Sequence, residues 1–298
     1  MVCSKLFSWV FLLYSFPGRL YIKFKIFLKF TIIYNAMKVG NPYEKSSLHI
    51  KKVGMVLEIG PGSNPTRDAD VLVEKFIDDN HHRRGDFRIY PHQTILQADA
   101  NELPFADKLF DYVVCSHVIE HVDDPAKFAA EQSRVAKAGY LEAPSLIGEL
   151  LAPKESHKWV SLEIDNKFVM FEKSKMPYDF KTDFGDLFLN YLPYHSLPFR
   201  LQILTKNNFN AVKYEWRDSI DIVANPSDEY MSSFFLKKWD PSMVRKIFPE
   251  LSTSKEFLVT TKALCYFMKQ RLVRLLGIYK KPVSFEEYNK QHGSSAKS

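Results

Sequence analysis

The stretch Val56-Leu57-Glu58-Ile59-Gly60-Pro61-Gly62, VLEIGPG, decides the fold. It closes the run VGMVLEIG (residues 53–60), apolar apart from one acid, with two glycines one residue apart. Such a run suits a strand buried on both faces. The glycines let the chain turn sharply and let a bound molecule approach the backbone. Alone, a G-x-G turn marks a nucleotide site weakly, because many tight turns contain one.

Outward from this stretch the pattern repeats. Residues 70–74 (DVLVE), 94–99 (TILQAD), 110–116 (FDYVVCS) and 138–145 (AGYLEAPS) are further short apolar runs ending in turn signals. Between the last two lies DDPAKFAAEQSRVAKA (123–138), a helix with Asp123 or Asp124 as cap and Pro125 in its first turn. Alternating strands and helices predict a doubly wound α/β sheet, Rossmann-like in layout. Further on, residues 157–173 predict a hairpin turning near Asp165-Asn166. Residues 210–226 read as strand material, placed as the late antiparallel pair of the same sheet. Residues 254–281 read as a long basic helix whose apolar stripe is core packing.

Composition bounds the class. The chain has 298 residues, 46% of them hydrophobic, enough for a substantial core. Cys3, Cys115 and Cys265 lie far apart, so no disulfide framework is expected and a cytoplasmic, reducing setting is. The net charge of +6 is unevenly placed. Residues 1–52 hold nine Lys and Arg against Glu44 alone, a net +8, which leaves the rest at −2. A near-neutral core argues against a nucleic-acid face, and no nucleic acid is expected as partner.

The basicity sits in an N-terminal arm, residues 1–40. Its first apolar run, LFSWVFLLYSF (6–16), is shorter than the ~20 residues of a membrane span. Its second, LYIKFKIFLKFTIIY (20–34), embeds Lys23, Lys25 and Lys29 among aromatic and aliphatic residues. Such a segment suits the cytoplasmic face of a membrane, lysines at headgroups and rings in the acyl boundary. Packing on its own domain or on a partner chain is the alternative.

Two acids fall where a nucleoside would need them. Glu74 ends the second strand, where a carboxylate can accept both ribose hydroxyls. Asp99 ends the third, where an acid can accept from an adenine amino group. The region that follows, ADANELPFADKLFDYVVCSHVIEHVDDP (98–125), is the most specific in the chain. Its Asp99, Leu103-Pro104-Phe105, Asp107, Phe110-Asp111 and Glu120-His121, taken with VLEIGPG, resemble the class I S-adenosylmethionine-dependent methyltransferases. The resemblance covers residues 53–145 and points to the type 11-like group, which also holds quinone-biosynthesis methyltransferases. The run beginning ADVLVEK (69–75) and the His157-Lys158-Trp159 triplet resemble a bacterial-type subgroup of unassigned substrate.

The resemblance implies roles for residues of this chain. Glu58, Gly60 and Gly62 correspond to the first cofactor motif, Glu74 to the ribose acid and Asp99 to the adenine-contacting acid. Ala100 corresponds to a backbone contact to adenine, and Ser116 and His117 to the loop beside the sulfonium. One departure is Asn64-Pro65, where the family often has a third glycine. Asn tolerates left-handed backbone better than most residues, so the loop is expected to bind with a different shape. The implied cofactor is S-adenosyl-L-methionine, whose methyl group is already activated. The protein then supplies positioning and, for an oxygen or nitrogen acceptor, a base. His121 and His157 are the catalytic candidates, with His117 behind them. No metal is expected. Glu120 and His121 are the pair for which related quinone enzymes offer a divalent-metal precedent.

The expected organisation is the arm (1–40), a methyltransferase domain (41–226) with an acceptor-side insertion at about 146–200, and a helical extension (227–298). The aromatics of the insertion (Phe180, Phe184, Phe188, Tyr191, Tyr194) suit a small-molecule, glycan or lipid-linked acceptor, and equally a plain core. Three rivals stand. His117-Val118-Ile119-Glu120-His121 matches the H-x-x-E-H string of one class of zinc proteases. That reading needs both histidines on one helical face, whereas a preceding strand and Pro125 predict a loop. An NAD-dependent dehydrogenase would need a third glycine. A non-catalytic Rossmann-like scaffold at a membrane would leave the acids at the strand ends without a role.

Overall fold

The computed structural model describes residues 42–48, 50, 54–77, 85–278 and 281–292. The arm and its expected membrane contact lie outside the described residues. Residues 41–298 form one compact unit, into which residues 227–292 pack.

The five predicted strands form with slightly trimmed ends, and a short β3 that was not predicted joins them: β1 (Val56–Ile59), β2 (Val71–Glu74), β3 (Arg88–Ile89), β4 (Thr94–Gln97), β5 (Tyr112–Ser116) and β6 (Ala138–Pro144). Later come β7 (Trp159–Ile164), β8 (Lys167–Glu172), β9 (Ala211–Arg217), β10 (Ile222–Ala224) and β11 (Val283–Ser284). The main sheet runs β4-β2-β1-β5-β6-β9, parallel except for β9. From β1 the chain steps through β2 to β4 on one side, then begins again with β5 on the other. The strand order therefore reverses between β1 and β5, and a crevice opens at their carboxyl ends, where open α/β sheets bind ligands.

Period-two alternation gives the sheet two apolar faces. Leu57, Ile59, Val113, Cys115, Leu141 and Ala143 share one face with Phe128 and Val135 of helix α1 (Pro125–Val135). The helix starts where predicted. The Asp124 carboxylate accepts from Lys127 N at 2.9 Å and Pro125 opens the first turn. Phe128 is fully buried, a contribution of about 1.5–3 kcal/mol.

The other face carries Val56, Leu72, Tyr112, Val114 and Tyr140. No helix connects β1 to β2; residues 60–70 cross as a loop. Gly62 and the Asn64-Pro65 pair are poor helix formers, which accounts for this departure from a doubly wound layout. The face is covered instead by Ile50, Phe87 and Ile89, with Val283 of β11 and Phe285 and Tyr288 of the helix Phe285–His292.

The hairpin also forms as predicted. β7 and β8 pair antiparallel across Asp165-Asn166, both left-handed at φ 53° and 62°, the geometry of a two-residue hairpin turn. Two expectations need correction. Residues 210–226 do not supply a pair to the main sheet: β9 joins β6, but β10 leaves and pairs parallel with β8 in a second sheet, β10-β8-β7. A left-handed Asp218 (φ 65°) turns the chain out between them. The long basic helix spans Thr253–Leu275, and its apolar stripe is not core packing. Only Ala263 and Tyr266 are buried there, whereas Phe257, Leu258, Met268, Leu272 and Leu275 are exposed. Its length and hydrophobic residues were legible, but which face the neighbours cover was not. No helix of the described residues is long and apolar enough to cross a membrane.

Candidate active site

A cleft of about 1260 Å³ lies at the carboxyl ends of β1, β2, β4 and β5. Ordinary ligand pockets hold roughly 300–1,000 Å³, so there is room for a cofactor and an acceptor together. One wall is the Gly60–Asn64 turn, Glu74–Phe76, Ala98–Asn101 and the loop Ser116–Asp123. The other comes from helix α2 (Leu146–Leu151), the segment before β7, and a π-helical turn at Asp186–Tyr191.

Gly60 and Gly62 both take left-handed backbone, φ 61° and 55°. A Cβ on Gly60 would lie 2.3 Å from Val118 Cγ2, so two of the cleft's loops touch through the missing side chain. Glu58 lies beneath this turn, buried, and does not line the cleft. Its carboxylate accepts from Lys45 Nζ at 2.9 Å and from Thr66 N, so it braces the turn from below. Lys45 also donates to the Asn64 carbonyl. Sequence reading did not single out Lys45, which lies among the many lysines before the first strand.

Glu74 lines the cleft at the end of β2, and its Oε1 accepts from Lys75 N at 3.1 Å. Asp99 lines it one loop away, beside Ala100. Asp99 accepts from Lys75 Nζ at 2.7 Å and Asn101 N at 2.8 Å. The Lys75 bond, then Asn101, hold its carboxyl below the usual aspartate range. Both carboxylates therefore face one space, as ribose and adenine recognition would require. Lys75 and Asn101 are additions, signalled in the chain by nothing beyond adjacency.

The Leu103-Pro104-Phe105 and Asp107 features have a different explanation. Arg134 of α1 donates to the carbonyls of Leu103 and Phe105 at 2.9 and 2.7 Å, to Asp107 Oδ1 at 2.8 Å and to Glu131 Oε1 at 2.7 Å. One guanidinium thus fixes the loop that follows Asp99. The fork geometry and the charged acceptors make these bonds stronger than neutral ones.

After β5 the chain does not become a long helix. His117 sits in left-handed backbone (φ 58°), its N–H donating to the Glu142 carbonyl at 2.9 Å. Ile119–His121 make a single 3-10 turn. The two histidines of H-x-x-E-H therefore share no helical face, and the loop expectation is correct. Ser116 Oγ donates to Glu142 Oε2 at 3.0 Å. The His117 ring lies deep in the cleft with half its side chain still open to it; Nδ1 is 3.2 Å from Glu120 Oε1 and Nε2 is 3.9 Å from Glu142 Oε1. Burial alone would lower its pKa, but Glu120 and Glu142 outweigh that and raise it to about 9. His117 is thus a cation at neutral pH, not a ready base.

The His157-Lys158-Trp159 triplet staples this loop to β7. Trp159 Nε1 donates to the Val122 carbonyl at 2.8 Å, Lys158 N to the Glu120 carbonyl at 2.8 Å, and Lys158 Nζ pairs with Asp123. His157 bonds through Nδ1 to buried Glu149 at 2.7 Å, and its ring meets that of His121 edge-on at 4.9 Å. The two catalytic candidates, 36 positions apart, stand side by side in the cleft. Glu149 and its other partner, Lys173 at 2.6 Å, were not singled out from the sequence. Nothing in a short helix following a strand signals a buried acid.

Residues 72–141 match the family described as methyltransferase domain. That match spans the main sheet from β2 to β6, and it is to a methyltransferase domain that these residues are similar. Among curated proteins the chain is similar to the phosphatidylethanolamine N-methyltransferase of Cereibacter sphaeroides, 30% identical over 110 residues, which is 33% of this chain and 54% of that protein. It thus spans about half the length of that relative. Among solved structures, the domain is similar to a Thermotoga maritima S-adenosylmethionine-dependent methyltransferase, possible histamine N-methyltransferase. Identity is 22%, coverage 40% of this chain and 56% of that one, and the TM-score 0.25. For PH0226 protein of Pyrococcus horikoshii the values are 20%, 41%, 67% and 0.27. Overlaps of that size add nothing to the strand order described above.

Proposed function

We propose that the chain is an S-adenosylmethionine-dependent methyltransferase acting on an oxygen or nitrogen of a small-molecule, glycan or lipid-linked acceptor. The observation that carries this is the convergence of Glu74, Asp99 and the Gly60–Gly62 turn on one cleft at the point of strand reversal. In this reading Glu74 accepts the ribose hydroxyls and Asp99 the adenine amino group, with the Ala100 backbone alongside. The glycine turn gives the methionine part close access to the backbone. The cofactor supplies the activated methyl group. His121 or His157 accepts the acceptor's proton, the part an imidazole base plays in transfer to oxygen or nitrogen.

A lipid-linked acceptor draws support from two sides. The curated relative methylates, by its name, a phospholipid. Beside the cleft, Phe184, Leu187, Leu189, Tyr191 and Tyr194 are exposed on the insertion, an apolar rim for an apolar acceptor. Residues 1–40 would then hold the enzyme at the cytoplasmic face of the membrane. Calorimetric titration of the full chain with S-adenosylmethionine tests the core of the proposal. Saturable binding at one site is expected, and absence of binding at high micromolar cofactor would falsify it. Comparing vesicle-borne with water-soluble acceptors in a labelled-methyl assay then tests the acceptor class.

A further inference from the structure

We infer that Glu120, His121 and His157 form a binding site for one divalent transition-metal ion of the zinc type, opening onto the acceptor end of the cleft. Each residue offers one ligand atom, and these atoms all lie within 4.8 Å of one another. A metal with ~2.1 Å bonds draws its ligands to roughly 3.4 Å apart, a closure that small side-chain rotations supply.

The hydrogen bonds around the three residues prepare them as ligands. His121 Nδ1 faces the Ser156 carbonyl at 3.0 Å, and a carbonyl can only accept, so Nδ1 carries the proton and Nε2 the lone pair. His157 Nδ1 is held by the Glu149 carboxylate at 2.7 Å, which turns Nε2 toward Glu120, 3.9 Å from its Oε1. Glu149 is itself fixed by Lys173 Nζ and Lys154 N. Imidazoles that ligate metals almost always donate their second N–H to a carbonyl or carboxylate in this way.

Glu120 is the independent observation. The residue is fully buried, and its Oε2 has no hydrogen-bond partner among the described residues. A buried polar atom without a partner costs about 1–3 kcal/mol, and more when charged. Oε1 has the His117 imidazole, but nothing among the described residues serves Oε2. A cation held by this carboxylate and the two imidazoles would offset its buried charge and offer Oε2 a partner. Two imidazoles and one carboxylate form a donor set of catalytic zinc sites, with a position left for a further ligand. Here that position faces the cleft. If the chain is the methyltransferase proposed above, on which this role rests, the ion would stand in for the histidine base: an acceptor hydroxyl bound there would give its proton to water in the cleft more readily. The resulting oxygen is the nucleophile for the methyl group.

Binding is measured without cofactor or acceptor, so the two readings fail separately. Tag-free full-length protein, stripped with a chelator and dialysed, is titrated with Zn2+ by calorimetry and with Co2+ by visible absorption. One equivalent per chain is expected, with the tetrahedral-type Co2+ spectrum of a nitrogen and oxygen site. His121→Ala and His157→Ala should abolish stoichiometric binding while S-adenosylmethionine still binds, which also shows that both variants fold. Glu149→Gln should weaken Zn2+ by about 10–100-fold, the usual effect of losing a partner behind a ligand. No stoichiometric binding by the wild type, or binding unchanged in both histidine variants, overturns the site. Cofactor binding without Zn2+ binding would refute only the metal site. Zn2+ binding without cofactor binding would refute only the transferase.

Discussion

Trp159 donates its indole N–H to the carbonyl of Val122 at 2.8 Å, tying the first residue of β7 to the loop that follows β5. Trp159→Phe removes the donor and also leaves part of the buried indole's volume empty. The expected cost is about 1–3 kcal/mol, the lost bond together with the lost packing. Faster amide exchange over residues 117–123 should accompany it, with little change elsewhere. Unchanged exchange in that loop would mean that packing alone fixes it.

Arg134 should matter to stability rather than to cofactor recognition directly. Its guanidinium joins four residues, among them Leu103 and Phe105 through their carbonyls. Arg134→Met should destabilise the fold by about 1–3 kcal/mol, the range for charge-assisted bonds on a one-third-exposed side chain. Denaturant titration reads this as a lower midpoint. A midpoint within error of the wild type would show that the loop after Asp99 holds without its clamp.

Gly60→Ala tests the contact between the two cofactor-side loops. The new Cβ would meet Val118 Cγ2 in a backbone conformation that alanine disfavours. Cofactor affinity should fall by tenfold or more, a loss of about 1.4 kcal/mol per tenfold. Gly60→Ala with Val118→Ala removes the clash and keeps the backbone strain, so part of the affinity should return. No recovery would assign the whole effect to strain.

Asp99→Ala should weaken S-adenosylmethionine binding strongly and leave the fold intact. The side chain is partly exposed, and its Lys75 partner is half-exposed, so their pair adds little to stability. Affinity by calorimetry and the thermal midpoint together decide. Unchanged affinity removes Asp99 from the site.

Deleting residues 1–40 should release the protein from anionic vesicles without altering cofactor affinity. Cosedimentation of the full-length and shortened chains measures it. A full-length chain that never sediments with anionic vesicles rules out the arm as a membrane contact.

Much of this molecule was legible in its residues. Short apolar runs ending at Gly60, Glu74 and Ser116 gave the inner parallel strands, because a strand buried on both faces must be apolar along its length, whereas β4 is a partly exposed edge. Asp124 and Pro125 gave the start of α1, because capping is local chemistry. The left-handed pair Asp165-Asn166 gave the hairpin for the same reason. The tertiary structure decided what depends on partners distant in sequence. Nothing near Glu58 said that Lys45 and Thr66 would occupy its carboxylate and turn it into a brace. Nor did H-x-x-E-H reveal its use. His117 turned left-handed and paired with Glu120, and His157, from another strand's threshold, took the place beside His121. Strands and caps follow from the chain's own periodicity and local bonds. The pairing of buried charges depends on which distant side chains folding brings within reach, and only the packed structure fixes that.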